Sequence, residues 1–250
     1  MRNEDIKRQL GVTGGDFYIT APAPCPYLSG RLERKVFSYL SGPRASEINS
    51  ILSQRGFRRS QNIIYLPACD SCSACAPVRV VAPEFRPSKS RKRILKKNGD
   101  ILRRIRPAVA TQRQFSVLRD YLDSRHADGG MADMTALDYA SMVEETAVDT
   151  MVIEYTLGTE DGGERLIACA LSDRVVDGFS MVYSFFDPAD ADRSLGAYMI
   201  LDHINMALER GLSHVYLGYW VPGSPKMDYK KNFSPLERLT PEGWRALPKD

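Results

Sequence analysis

Histidine is scarce in this sequence. The 250 residues contain three, His126, His203 and His214, and these join no triad-like or metal-type constellation. Each reads as a structural or exposed side chain, so the chemistry of a histidine base or a histidine-ligated metal is not indicated. Long apolar runs are missing too: none approaches the roughly eighteen residues a membrane span needs. The opening MRNEDIKRQL lacks the apolar core of a signal peptide. A cytoplasmic protein with no membrane partner is therefore expected. In that reducing compartment five cysteines, an odd number, argue against disulfide staples. No repeat at solenoid spacing and no long Gly/Ser linker is visible.

What remains is an ordinary globular composition, 43% hydrophobic and 26% charged, in a chain long enough to bury a large core as one big domain or two smaller ones. The net charge of +3 hides an uneven distribution. Residues 86–106 read RPSKSRKRILKKNGDILRRIR, with ten Lys or Arg and a single acid. A solvated helix face is the plain reading of such a run. Its density also suits a phosphate backbone, through several counterion-releasing contacts. No aromatic residue interrupts it, which points to backbone grip rather than base reading.

The hydrophobic pattern divides the chain near residue 108. Before it, residues 44–56 place Ile48, Ile51 and Leu52 on one helical face with Gly56 as a stop. Residues 61–67 and 78–81 read as short strands flanking a cysteine loop. Residues 88–98 read as a basic helix ended by Asn-Gly, and 101–109 as a strand interrupted by Pro107. After it, Thr111 with Gln114 forms a capping box opening a helix that carries Phe115, Leu118 and Leu122 on one face. A polar loop, HADGGMAD, leads to a second short helix from about Thr135. The strands MVIEYTL, RLIACALS and FSMVYSFF follow, then a helix over residues 195–210 stopped by Gly211, and the strand HVYLGYW. We therefore expect residues 1–108 to form an N-terminal domain with the Cys-rich loop and basic helix, and residues 109–250 a C-terminal acyltransferase domain. The order helix, helix, strands, helix, strand is that of the GNAT acyltransferases, so the expected class is α/β (α+β) with a GNAT-like fold. A doubled GNAT-like architecture with a degenerate N-terminal half is a further expectation. Fold alone does not fix function.

In that fold the strand-to-helix turn carries R/Q-x-x-G-x-G/A, whose amides hold the pyrophosphate of coenzyme A. Here it reads RSLGAY, with Arg193 and Gly196 matching and Tyr198 at the last small position. A ring there is expected to obstruct backbone approach by a pyrophosphate. This favours acyl transfer from another donor over a CoA-dependent acetyltransferase. A plain helix N-terminus with a coincidental arginine stands equally beside it. The block YLGYWVPGSPKMDYKKNFSPLE, residues 216–237, admits two readings. It is either a strand leaving the core into an amphipathic tail, or a pocket rim. In the second reading Tyr219 and Trp220 stack on a base or ribose, and lysines meet phosphate or carboxylate.

Taken together, CPYLSGR (25–31), YLPACDSCSACAPVRV (65–80), RPSKSRKRILKKNGD (86–100), SLGAYMILDHI (194–204) and the block at 216–237 resemble the aminoacyl-tRNA–protein transferases, in the same order over residues 16–244. The resemblance implies attachment of an amino acid from a charged tRNA to the N-terminus of a protein. It also implies marking of proteins with N-terminal Asp or Glu for degradation in the N-degron (N-end rule) pathway. Length and the form YWVPGSPKMDYK favour the short bacterial type, which takes leucyl-tRNA; the longer type, which takes arginyl-tRNA, is the alternative. On this footing Tyr219, Lys226 and Tyr229 are the expected catalytic residues. Arg79, Cys25, Cys69 and Cys72 are expected to bind the acidic acceptor, with Arg58 and Arg59 in reserve, and Lys226 is a second cation for that pocket. Lys89, Arg91, Lys92, Arg93, Lys96, Lys97, Trp220 and Lys230 are expected to contact tRNA. An RNA-binding module with a Cys-rich metal site is the reading of another class.

Cys69, Cys72 and Cys75 stand as C-x2-C-x2-C, and Cys25 offers a fourth soft ligand. The spacing resembles the start of a ferredoxin run, but Arg79 stands where the fourth cysteine would fall. Only one such cluster is present, where zinc ribbons carry two separated pairs. Arginyl relatives link N-terminal cysteines to an iron–sulfur cluster, and half of their early C-x-x-C is missing here. No cofactor and a pocket-shaping thiol loop are the first expectation; zinc or iron–sulfur at Cys25, Cys69, Cys72 and Cys75 is the second. Cys169, within RLIACALS, reads as core.

Overall fold

The computed structural model describes residues 16–125 and 131–248. His126 and most of the polar loop after it therefore lie outside the described residues. The chain opens with β1 (Phe17–Ile19), a short hairpin of β2 (Ala23–Pro24) and β3 (Leu32–Glu33), and β4 (Lys35–Tyr39). Then come α1 (Ala45–Gln54), β5 (Arg58–Ser60) and β6 (Ile63–Pro67). An antiparallel sheet in the order β1-β4-β6-β5 results. Its two faces differ because side chains alternate along a strand. Val36 and Ser38 turn toward α1 and the cluster of Phe17, Leu40, Leu52, Phe57 and Ile64, against which the expected helix face of Ile48 and Ile51 packs. Gly56 ends α1 with φ +86°, and a Cβ there would lie 2.6 Å from Pro77 Cγ, so only glycine fits.

The remaining strands form one eight-stranded sheet. They are β7 (Ala76–Val81), β8 (Leu102–Pro107), β9 (Thr150–Gly158), β10 (Glu164–Val175), β11 (Gly178–Phe186), β12 (His214–Trp220), β13 (Leu236–Thr240) and β14 (Gly243–Ala246). Their spatial order is β14-β13-β7-β12-β11-β10-β9-β8, and β11–β12 is the one parallel pair among the described strands. That pairing needs a crossover, supplied by α5 (Leu195–Glu209). Helix α5, with α2 (Lys89–Lys97), covers one face; α3 (Gln112–Arg125) and α4 (Ala136–Glu144) cover the other. Strand β10 is apolar throughout its middle because both faces are covered: Ile167, Ala168 and Ala170 join the α5 cluster, and Leu166, Cys169 and Leu171 the α3 cluster. Cys169 is core, as expected.

The local signals hold. Thr111 and Gln114 exchange the two bonds of a capping box at 3.0 and 3.3 Å, and Thr135 with Asp138 makes a second one at α4. Asn98 ends α2, and Gly211 follows α5 at φ +64°. The order expected from residue 111 is present, and the class is α/β with a GNAT-like order of elements. Among the described residues no helix is long and apolar enough to cross a membrane.

Three features differ from expectation. The amphipathic tail is instead the hairpin β13–β14, paired to β7 in register Leu236↔Val80, with Phe233 and Leu236 each 1% exposed. Burying each such side chain is worth about 1.5–3 kcal/mol, enough to dock a segment with weak strand propensity. The large sheet draws β7 and β8 from before residue 108 and its other strands from after it. Finally, the N-terminal part is an antiparallel sheet with one helix, so it does not repeat the order helix, helix, strands, helix, strand. A buried ion pair ties this part to the large sheet: Arg59 Nε and Nη2 donate to both oxygens of Asp173 at 2.6 and 2.8 Å, with side-chain exposures of 1% and 0%.

Candidate functional site

Where the two sheets meet, the β2–β3 hairpin and the loop between β6 and β7 enclose a cavity of about 330 Å³. The hairpin is closed by Cys25 N–H donating to the Arg31 carbonyl at 2.9 Å, and the loop is held by Ala68 N–H on the Arg34 carbonyl at 2.8 Å. Cys25, Cys69, Cys72 and Cys75 all line the space, as the pocket-shaping reading requires. Tyr27, Tyr65 and Tyr219 provide aromatic walls, and Arg31, Glu33 and Lys35 the charge. Lys35 Nζ lies 2.8 Å from Glu33 and 5.4 Å from the centre of the Tyr65 ring.

The thiols are not equivalent. The Ala74 amide and then Arg31, whose Nη1 lies 3.1 Å from Cys72 Sγ, hold the Cys72 thiol below its usual range. Burial, with the neighbouring Cys25, Cys69 and Cys72, pushes Cys75 up to about 11. Cys69 Sγ donates to the Arg34 carbonyl at 3.8 Å. Among the described residues no group of three or more His, Cys, Asp or Glu side chains is placed to hold one metal ion.

The floor of the cavity is the end of β12. Strands β11 and β12 pair only over Gly178–Ser180 and His214–Tyr216, then separate. Each carries a register irregularity where they part, at Val182 and Leu217. Arg58 enters the split: its Nη2 donates to the Met181 and Val182 carbonyls at 2.7 and 3.1 Å, while Nη1 is buried with no partner among the described residues. The guanidinium lies flat on Gly218 at φ +78°, where a Cβ would stand 2.0 Å from Nη1. Lys230, 6% exposed, donates from Nζ to the Tyr219 carbonyl at 2.6 Å and approaches Met227 Sδ at 3.3 Å. Burial first and the Arg58 charge second lower its pKa to about 7.

The expected catalytic trio is partly dispersed. Tyr219 is 4% exposed and lines the cavity, but its hydroxyl donates to the Gly56 and Tyr65 carbonyls at 3.1 and 3.0 Å. Burial raises its pKa well above the usual range, so it is a wall and not a base. Lys226 is exposed on the turn after β12. Tyr229 is 48% exposed, with burial of its hydroxyl end raising its pKa.

Arg79 requires correction as an acceptor-binding residue. It bonds Glu237 at 2.7 Å and Tyr216 Oη at 3.1 Å, lies 4.3 Å over the Trp244 ring, and so clamps β7 to β12, β13 and β14. Arg59 is likewise consumed by Asp173. The cavity cations are instead Arg31 and Lys35; Arg31 ends the block CPYLSGR, the one signal that could have pointed to it. His203 is buried between Ser172 Oγ and the Met199 carbonyl, its pKa lowered by burial to about 4, and His214 is bound to Asp177 at 2.9 Å.

The basic run divides into two unlike parts. On α2, Lys89, Lys92, Arg93, Lys96 and Lys97 are exposed, and Lys97 reaches Asp192 at 2.7 Å. Arg91 is half-buried, 4.5 Å over the Phe233 ring. On β8, by contrast, Arg103 binds Asp202 and Glu209, Arg104 binds Glu164, and Arg106 binds Glu154. Those arginines are neutralised locally, so a grip on phosphate falls to α2. Lys230 is too deeply buried for that part, and Trp220 packs into the α5 cluster, its indole N–H without a partner among the described residues. At RSLGAY the obstacle to a pyrophosphate is not the Tyr198 ring, which is 8% exposed and packs on Tyr155 at 5.8 Å. It is charge: Arg193 is taken bidentately by Asp100 and approached by Asp190, and Asp192 lies in the turn that leads into the same helix.

Comparisons with known proteins bear on this site. Models of the arginine-tRNA-protein transferase N terminus and C terminus match residues 23–93 and 113–240. Proteins named aspartate/glutamate leucyltransferase are 58% identical to the chain in Rhodopseudomonas palustris (strain BisA53) and Bradyrhizobium diazoefficiens. The match covers 92% of this chain and 92% of each relative. One from Sinorhizobium medicae is 58% identical over 94% of this chain and 93% of its own length. Among solved structures, the L-PGS from Bacillus licheniformis aligns with 83% of this chain and 69% of that one, at 10% identity and a TM-score of 0.42.

Proposed function

Because the chain belongs to the arginine-tRNA-protein transferase family, we propose that it transfers leucine from leucyl-tRNA to the N-terminal Asp or Glu of proteins, marking them for degradation through the N-degron pathway. The observation that carries this reading is the divergence of two consecutive residues at the end of β12. Tyr219 lines the thiol cavity, whereas Trp220 packs against the core cluster under α5, on the face of the sheet that α2 also covers. Neighbouring side chains on a strand take opposite faces. One strand end thus serves an acceptor entering through the cavity and a donor held by the basic helix. The names of the relatives support leucine as the amino acid and Asp or Glu as acceptors.

The chemistry asks little of the protein. The donor is an activated ester, and the nucleophile is an α-amine whose pKa of about 8 leaves a neutral fraction at neutral pH. Positioning supplies much of the rate. Arg31 offers the acceptor's side-chain carboxylate a positive charge, and Glu33, held by Lys35 at 2.8 Å, faces the same cavity on the side where an α-ammonium needs an acceptor. As the amine bonds to the carbonyl carbon, the oxygen gains negative charge; Arg58, which has no carboxylate partner among the described ion pairs, brings positive charge to the strand split. As the oxyanion collapses to re-form the carbonyl, the ester C–O bond breaks; the nitrogen loses a proton and the departing 3′ oxygen of the tRNA gains one, so an amide replaces the ester.

A transfer assay tests the reading, with labelled leucyl-tRNA or arginyl-tRNA and peptides beginning with Asp, Glu, Ala or Lys. Leucine on the Asp and Glu peptides alone is the expected result. Arginine transfer overturns the donor, and no transfer from either tRNA overturns the reaction. Arg31→Ala is expected to lower kcat/KM for the Asp peptide by about 10- to 100-fold, the worth of a hydrogen bond to a charged group, with the KM for leucyl-tRNA unchanged.

A further inference from the structure

Among the described residues the N-terminal sheet has one face covered by α1, while the other carries the exposed Tyr18 and Tyr39. On the open face Tyr18, Phe37 and Tyr39 form a three-ring cluster, with centroids 5.5, 5.9 and 6.0 Å apart. Tyr18 stands opposite Phe37, and Phe37 opposite Tyr65, across the β1-β4-β6 ladder. Lys35, Phe37 and Tyr39 alternate along β4, so the rings continue from Lys35 and Tyr65 at the cavity wall. Tyr18 and Tyr39 are 47% and 55% exposed. Rings this large, clustered and bare on a sheet face mark a contact surface.

We propose that this aromatic strip seats the acceptor polypeptide immediately after its modified N-terminal residue. The inference rests on the transfer reaction above. An acceptor whose first residue fills the cavity must leave by the mouth where Lys35 and Tyr65 stand. Four residues of β4, about 13 Å, separate Lys35 from Tyr39, a distance that an extended chain covers in about four residues of its own. The strip is apolar where an RNA strand would need cations. Lys35 is paired with Glu33, and Arg58, on the neighbouring strand, is committed to the Met181 and Val182 carbonyls. Phosphate-binding charge lies instead on α2, across β12. A protein segment with apolar or aromatic side chains near its N-terminus fits this surface; a nucleic-acid backbone does not.

The test compares an Asp-initiated dipeptide with a longer Asp peptide carrying apolar residues in its first turns, in two readouts. One is fluorescence anisotropy of the labelled longer peptide without tRNA, and the other is leucine transfer. The Tyr18→Ala/Tyr39→Ala protein is expected to bind the longer peptide about tenfold more weakly. It should lose the same factor in kcat/KM for that peptide and act on the dipeptide as the unaltered protein does. Tyr39→Lys, a milder surface change, is expected to move in the same direction, with thermal melts of both variants unchanged. Equal loss for both acceptors, or none for either, overturns the proposal. A raised KM for leucyl-tRNA with unchanged peptide affinity does so too, and assigns the face to RNA. If the effect of Tyr39→Lys vanishes in a chain lacking residues 1–15, that segment is the occupant and the proposal falls. Peptide binding that depends on the strip, in a protein that transfers no amino acid, would sink the reaction and leave the strip standing.

Discussion

Consider first the removal of one partner from the buried Arg59–Asp173 pair. Both oxygens of Asp173 accept from the guanidinium, at 2.6 and 2.8 Å, and one also accepts from Thr150 Oγ1 at 2.8 Å. Arg59 Nη1 spends its remaining capacity on the Gln61 carbonyl at 2.7 Å. With side-chain exposures of 1% and 0%, neither charge can recover hydration if the other is removed. Deleting one member of such a pair costs about 3–5 kcal/mol, most of it the penalty of the charge left behind. For a chain of this size that corresponds to a fall in Tm of roughly 6–20 °C. The pair also fixes β5, and with it Arg58, against the large sheet, so a variant that still folds should lose transfer activity before it loses secondary structure. Thermal unfolding followed by circular dichroism, with activity measured well below the transition, reads both effects. Arg59→Met and Asp173→Asn should each show the full loss. Arg59→Met/Asp173→Leu, with no charge stranded, should recover much of it. Two single variants that each melt within a degree or two of the unaltered protein would refute the reasoning, because a truly buried pair cannot lose one member so cheaply.

Lys230 gives a pH test. Its pKa falls to about 7 in the folded protein from 10.5 when solvated, so between those values the unfolded chain holds a proton that the folded chain has released. Stability therefore rises with pH across that window, by up to about 1.4 kcal/mol per unit. Lys230→Met should lack this rise, and parallel urea midpoints for the two proteins from pH 7 to pH 10 would contradict it. At Gly218, alanine must accept φ +78° and meet Arg58 Nη1 at 2.0 Å. Gly218→Ala should therefore destabilise by about 1–3 kcal/mol, and Arg58→Ala in that background should relieve part of it, as a double-mutant cycle would show. Lys92→Glu or Lys96→Glu on α2 should weaken leucyl-tRNA binding and reduce the slope of log K against log salt by about one, leaving peptide affinity alone; an unchanged slope would remove α2 from the tRNA surface.

Local chemistry was readable wherever a residue acts on its chain neighbours. Thr111 and Gln114, Thr135, Asn98 and Gly211 mark their helix ends because caps bind amides and carbonyls a few residues away. RLIACALS announced the strand β10 with Cys169 in the core; that both of its faces are covered emerged with the packing of α3 and α5. The hairpin β13–β14 was hidden, since its pairing partner β7 lies far back in the chain and its own sequence is polar and mixed. Arg79 shows the limit for the site. An arginine beside the cysteine loop reads as a pocket cation, yet strand alternation and the return of Glu237 on β13 turn it away from the cavity and neutralise it.

The sequence by itself therefore determined the helices, the strands of the large sheet from β7 to β12, the scarcity of histidine chemistry, the thiol cluster, the basic helix and the family. Those properties live in residue type and short spacing. Only the tertiary structure decided which charges are free to act. It consumed Arg59, Arg79 and the arginines of β8 in ion pairs, and it drove Lys230 into a desolvated site. It also left Arg31 in the wall of one cavity and the aromatic strip on the sheet that borders it. Partners in an ion pair are chosen by proximity in space, and desolvation by what covers them. Neither is written in the order of residues along the chain.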